Sequence, residues 1–176
     1  TLVTVQKKLI NIFGKTTNQA DLVLEGLVPV PYCTGNFLLS DEELTRGKAL
    51  IDFGMESSRF LAFKEGQLSD QLTFQLGGNN LTGDLSARLD VTEREARKIK
   101  HESGIPGYDD QGRKPVQATS NNSRKKTDQH SEIYSALAAR TEEIIEIILS
   151  KARERGHGRL LSQGIKITGG SARLSG

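Results

Sequence analysis

The chain has 176 residues, of which 26% are charged, with a formal net charge of +2 and a single cysteine. That length suits one large domain or two small lobes, and the near-neutral balance removes any need for a nucleic-acid partner. Cys33 cannot form an internal disulfide and the three histidines stand without ligand spacing, so the expectation is a reducing compartment, cytoplasmic by default, with no structural metal.

No apolar run approaches bilayer-spanning length, and the opening Thr-Leu-Val-Thr-Val-Gln-Lys-Lys lacks the pattern of a secretory signal. The missing initiator methionine and the abrupt end at Gly176 lead to the expectation of a fragment of a longer protein. Leu2 to Val5 reads as the tail of a strand. A helical pattern follows, with Leu9, Ile10 and Phe13 on one face and a break or C-cap at Gly14. Residues 22–30, LVLEGLVPV, read as a buried strand, Tyr32 to Leu39 as a short helix and Asp41-Glu42-Glu43 as a polar loop. The order is that of an α/β domain.

Residues 49–80 read as a three-stranded meander. Ala49 to Phe53 and Phe60 to Phe63 are apolar runs joined by the turn Gly54-Met55-Glu56-Ser57-Ser58, and Leu68 to Leu76 alternates as a strand with one buried face should. An aspartate, Asp52, ahead of a glycine and hydroxyl turn fits a phosphate cradle in which the acid positions a metal or water. It equally fits an ordinary solvent-facing hairpin, and the residues of this stretch leave both readings open.

Helix dominates after Gly77-Gly78. Leu81, Leu85 and Leu89 recur at helical spacing up to Asp90, and Thr92 with Glu95 forms a capping box for a charged helix to about His101. Arg97 and Lys100 share a face that meets either a nucleotide or water. Ser103 to Gln129, poor in apolar residues, reads as a long loop with a basic knot at Ser123-Arg124-Lys125-Lys126. Residues 131–155 form the strongest helix, with the stripe Ile133, Leu137, Ile144, Ile148 and Ala152 facing the core and Arg140, Glu143 and Ile147 on its flank. A strand, Ile165 to Thr168, then ends in Gly169-Gly170-Ser171, a second place where glycines let backbone approach a ligand.

Taken together and in order, Asp52-Phe53-Gly54-Met55-Glu56-Ser57-Ser58 resembles the second phosphate loop of the actin, heat-shock-70 and sugar-kinase superfamily, and Ile167-Thr168-Gly169-Gly170-Ser171 its adenosine loop. Within it the chain resembles the FtsA family of bacterial cell-division proteins. That likeness rests also on Gln75 to Asp84, Glu95-Ala96-Arg97-Lys98-Ile99-Lys100 and Leu137 to Ile144. The resemblance implies an α/β chain forming the second half of an actin-like (ribonuclease-H-like) fold with a small inserted α+β subdomain. Subdomain IIA would take residues 1–76 and 160–176, and subdomain IIB residues 77–159.

It further implies a scaffold that polymerises like actin and tethers FtsZ filaments to the inner face of the membrane at the division site, with the membrane-binding segment outside this chain. ATP and Mg2+ would meet Asp52 (the metal indirectly, through water), Gly54, Ser57, Ser58, Lys100, Gly169, Gly170 and Ser171. The FtsZ C-terminal tail would meet Arg140 and Lys126, with Leu137, Glu143 and Ile144 beside them. Alternatively, Arg140 pairs with Glu143 one turn along. Met55, Glu56 and Arg59 depart from the family's phosphate loop, and Arg97 stands where the family has an adenine-contacting glutamate. Weak hydrolysis or none is therefore expected. The alternatives are an active ATPase or kinase of the superfamily, or a pilus-assembly or rod-shape actin homologue.

Overall fold

The computed structural model describes residues 4–103 and 124–174, with side chains from 132 onward in the second stretch. At its centre lies a four-stranded sheet in the order β3-β2-β1-β4, built from β1 (Lys48–Phe53), β2 (Ser58–Lys64), β3 (Gln67–Phe74) and β4 (Ile165–Thr168). The first three strands form the expected antiparallel meander, and β4 pairs parallel with β1. The tight turn between β2 and β3 places Glu65 and Gly66 both at positive φ, the backbone that a two-residue hairpin of matching twist requires.

A parallel partner for β1 needs a crossover, and among the described residues four helices supply it. They are α4 (Gly78–Leu89), α5 (Glu93–Ser103), α6 (Arg124–Glu154) and α7 (Gly158–Ser162). Ala49, Ile51, Phe53, Phe60 and Ala62 on one sheet face join Leu81, Leu85, Ala96 and the whole α6 stripe, Ile133, Leu137, Ile144, Ile148 and Ala152, in one buried cluster. Each large side chain buried there contributes about 1.5–3 kcal/mol. On the opposite face Leu50, Leu61, Phe63 and Leu68 meet Leu39 and Leu44, from the end of α2 (Val30–Leu38) and from α3 (Asp41–Arg46). With helices on both sides, the central strands read as nearly continuous apolar runs, and edge strand β3 alternates.

The local punctuation of the helical half is as expected. Asp90 closes α4 in the left-handed conformation at φ 52°. The Thr92 hydroxyl accepts from the Glu95 amide while the Glu95 carboxylate accepts from the Thr92 amide at 3.0 Å. Four earlier expectations are corrected. Residues 22–29 form no strand, because the run has no neighbouring strand to complete its hydrogen bonds, and Leu22, Val23 and Val28 are exposed. Gly14 neither breaks nor caps: α1 (Lys7–Gln19) runs through it, with Leu9, Ile10 and Phe13 exposed on its face. Asp41-Glu42-Glu43 opens helix α3, because Ser40 and Glu43 form a capping box. The span read as loop is already helical from Arg124, and the rest of it, 104–123, lies outside the described residues, as do Leu2 and Val3. The described part of 77–159 is helical, with no strand among it.

Two expected outcomes follow from these contacts. Ser40→Ala removes an N-cap and lowers stability by about 1 kcal/mol in chemical denaturation. Asp70, on β3, accepts from Arg155 at 2.9 Å and lies 2.8 Å from His157 Nε2, fastening the edge strand to the C-terminal end of α6. Its carboxyl is lowered from the ordinary 3.8 to about 2, first by hydrogen bonding from Arg155, with His157 and the Gln71 amide adding to it. A carboxyl whose folded value is depressed adds stability above its unfolded value and loses it as pH falls toward the folded one. Asp70→Asn therefore costs at most about 2 kcal/mol at neutral pH. Acid titration of stability tests the sign: the gap to wild type closes between about pH 4 and pH 2.

Candidate functional site

One end of the sheet gathers most of the residues expected to bind nucleotide. Parallel pairing sets Asp52 of β1 opposite Thr168 of β4, and antiparallel pairing sets it opposite Arg59 of β2. The hairpin Gly54 to Ser57, the glycines after β4 and the N-terminus of α4 converge beyond these positions. Gly169 sits at φ 103°, and a Cβ there would lie 2.4 Å from the Phe53 carbonyl oxygen and 2.8 Å from Asp52 Oδ1. Only a glycine allows the chain to leave β4 this close to β1. A Cβ on Gly78 would meet Ser171 Oγ at 2.5 Å and Lys100 Nζ at 3.3 Å, so the start of α4 is equally tight.

The hydrogen bonds there are largely closed on the protein itself. Ser58 Oγ donates to the Leu76 carbonyl at 2.7 Å and Ser171 Oγ to the Gly54 carbonyl at 2.9 Å. The amides of Gly78 and Asn79, which at a helix N-terminus would otherwise serve an anion, donate to the carbonyls of Gly54 and Met55 at 3.0 and 2.7 Å. Lys100 is buried and its ammonium donates to the Gly78 carbonyl at 2.8 Å and Thr82 Oγ1 at 2.9 Å. Burial first, and then the charge of Arg97, hold the amine below its usual range. Arg97 itself is exposed, so the two residues expected on one face part company.

Arg59 Nη1 donates to Asp52 Oδ2 at 3.1 Å. What stays open to a ligand is narrower than the sequence suggested. Ser57 Oγ makes no hydrogen bond among the described residues, and the space beside Gly170 is empty to 4 Å. The glycine pair and Ser57 are the part of the expected nucleotide site left open. A hydrated Mg2+ does not fit, since Asp52 is already held by a guanidinium, Glu56 is exposed in the turn, and no group of three or more acid, histidine or cysteine side chains comes together among the described residues.

The second site lies on the helical layer. Arg140 projects from α6 with its side chain 31% exposed. Its Nη2 donates to Asp84 Oδ1 of α4 at 3.0 Å, its Nε donates to the other oxygen of the same carboxylate, and its Nη1 donates to Glu143 Oε2 at 2.6 Å. The pairing with Glu143 is the local alternative foreseen from the sequence. Asp84 was not foreseen, since a partner 56 residues away leaves no local spacing signal. Hydrogen bonding to Asp84 first, and then the negative charges of Asp84 and Glu143, push the guanidinium further above its usual range. Leu137 and Ile144 are core residues, 1% and 0% exposed, and offer no surface to a tail. Lys126 falls in the opening turns of α6, whose side chains lie outside the described residues. No described helix is long and apolar enough to cross a membrane.

Comparison with known proteins adds three findings. The sequence model of the family described as Cell division protein FtsA matches residues 49–176. The chain is 30% identical over 178 residues to Cell division protein FtsA of Bacillus subtilis, covering 100% of this chain and 40% of that protein. It is also 30% identical over 183 residues to the Agrobacterium fabrum protein of the same name, covering 99% and 41%. Among solved structures, MreB 5 of Spiroplasma citri bound to AMPPNP superposes with a TM-score of 0.69 at 16% identity, over 97% of this chain and 55% of that one. The actin-like fold is shared, and the chain spans about two fifths of the length of these curated relatives.

Proposed function

The chain belongs to the FtsA family of cell-division proteins, and on that premise we propose that it is the part of a division scaffold that receives the acidic C-terminal tail of FtsZ at Arg140. In this reading residues 1–76 and 160–176 form subdomain IIA and residues 77–159 form subdomain IIB. The observation that carries it is the state of Arg140. A guanidinium on a long helix, anchored from beneath by the core residues Leu137 and Ile144, is already arranged in the bidentate geometry that suits a carboxylate.

Asp84 and Glu143 are its resting partners, and a tail carboxylate takes the place of one of them. Exchanging one partly exposed ion pair for another costs little, because each such pair is worth about 1 kcal/mol or less. Lys126 lies 14 positions before Arg140 in the same helix, about 20 Å along its axis, and serves as a second cation for an extended acidic segment. The wider role proposed from the family is self-association into actin-like filaments and tethering of FtsZ to the cytoplasmic face of the membrane. Closure of the Ser58 and Ser171 hydroxyls and of the α4 amides on the protein itself speaks against the ATPase or kinase alternative, and nucleotide binding with weak hydrolysis or none is the reading taken from the family.

Calorimetric titration with the FtsZ C-terminal peptide of the same organism tests the reading. Saturable binding that weakens with salt, and that Arg140→Ala reduces several-fold, is expected. Equal binding by wild type and Arg140→Ala, or none by the folded wild type, removes the proposal.

A further inference from the structure

We infer that Arg59 is the resident cation of the 52–59 hairpin and that Asp52 takes no divalent metal. This deepens the nucleotide reading above and rests on it for its use: a nucleoside polyphosphate seated on Ser57 and the Gly169-Gly170 pair would do so free of Mg2+. The register makes the pairing structural. Asp52 and Arg59 are opposed across β1 and β2, so the guanidinium is delivered to the carboxylate by the ladder itself. Cross-strand partners of opposite charge at such positions are held close without a search through side-chain space.

The other carboxylate oxygen faces the glycine turn after β4. A Cβ on Gly169 would lie 2.8 Å from Asp52 Oδ1, so the absence of a side chain there is what leaves room beside that oxygen. Mg2+ binds through one or two carboxylates plus substrate phosphates, keeps several waters and demands near-octahedral geometry. Here one oxygen carries a guanidinium and the other faces a glycine turn. Glu56, the next acid along the hairpin, is exposed in the turn, and no set of three acid, histidine or cysteine groups lies near enough to build a second ligand shell among the described residues. Arg59 also supplies a positive charge that a metal would otherwise bring. It is partly exposed, and only one of its nitrogens is engaged, so donors remain for a phosphate oxygen.

The test uses Mn2+ alone, without nucleotide or FtsZ peptide, so its outcome is independent of tail binding. Amide spectra of the isotope-labelled chain are followed during Mn2+ titration for wild type, Arg59→Lys and Arg59→Thr. Wild type and Arg59→Lys are expected to show no broadening at Asp52, Gly54 and Gly169 beyond that at exposed surface acids such as Glu42 and Glu65. Arg59→Thr is expected to broaden there selectively, at about tenfold lower Mn2+, which corresponds to about 1.4 kcal/mol of interaction. If Arg59→Thr loses its dispersed spectrum, Arg59→Gln, which keeps a polar planar group, takes its place with the same expectation. Selective broadening in wild type overturns the inference, and so does a folded charge-removed variant that gains none.

Discussion

Phe63→Ala lowers the unfolding free energy by about 3–5 kcal/mol, a large share of the roughly 5–15 kcal/mol that a domain has to lose. Phe63 is fully buried in central strand β2, and the core it belongs to is small: Leu39, Leu44, Leu50, Leu61 and Leu68 complete it. Its ring lies directly beneath α2, where a Cβ on Gly35 would fall 1.9 Å from the ring's Cζ. The helix backbone rests on the aromatic face, so alanine leaves a void that neither a rigid strand nor a short helix can close. Urea denaturation measures the loss, and a loss below about 1 kcal/mol would mean that α2 does not pack there. The converse change tests the same contact: Gly35→Ala overpacks it by about 1–3 kcal/mol, and Phe63→Leu in the same chain recovers part of that cost.

Gly169→Ala is the second large effect, with an expected loss of about 3 kcal/mol from left-handed strain and overpacking together. The group that a Cβ would strike is the Phe53 carbonyl, which is backbone and cannot swing aside as a flexible side chain would. The end of β4 is therefore forced from β1, and the hydrogen bond from Ser171 Oγ to the Gly54 carbonyl goes with it. Amide exchange should quicken across Ile165–Thr168 while α4 and α6 keep their protection. Gly170 gives the control, because its φ is −63° and nothing lies within 4 Å of its Cβ position. Gly170→Ala is expected to leave stability and exchange nearly unchanged. Equal damage from the two substitutions would refute the close-approach account.

Signals carried by a single local period or cap could be read in advance. The five residues of the α6 stripe are all buried, and the meander, the end of α4 at Asp90 and the Thr92–Glu95 box stand where patterning put them. The same capping rule, applied to Ser40-Asp41-Glu42-Glu43, contained the signal for α3, and it was read as a loop because of its charge. Residues 22–29 mark the limit of periodicity: an apolar run becomes a strand only where a neighbour can pair with it. Both candidate sites turn on contacts that pattern alone does not carry. Asp52 meets Arg59 through strand register, and Asp84 meets Arg140 through the packing of two helices. The family resemblance pointed to the loops and to the arginine. It did not indicate that the hydroxyls of Ser58 and Ser171 are spent internally, which depends on the close approach of α4 to the hairpin.

The central claim is that Arg140 receives a carboxylate from outside by giving up one from inside, and Asp84→Asn tests it most directly. The amide keeps the size of the side chain while removing the charge that competes with the tail. The account predicts that the Asp84→Asn chain, still folded, binds the FtsZ C-terminal peptide more tightly than wild type, by several-fold at low salt and less at physiological salt. Unchanged or weaker binding would contradict it, leaving the Asp84–Arg140 pair as a brace between two helices and the tail, if bound, seated elsewhere.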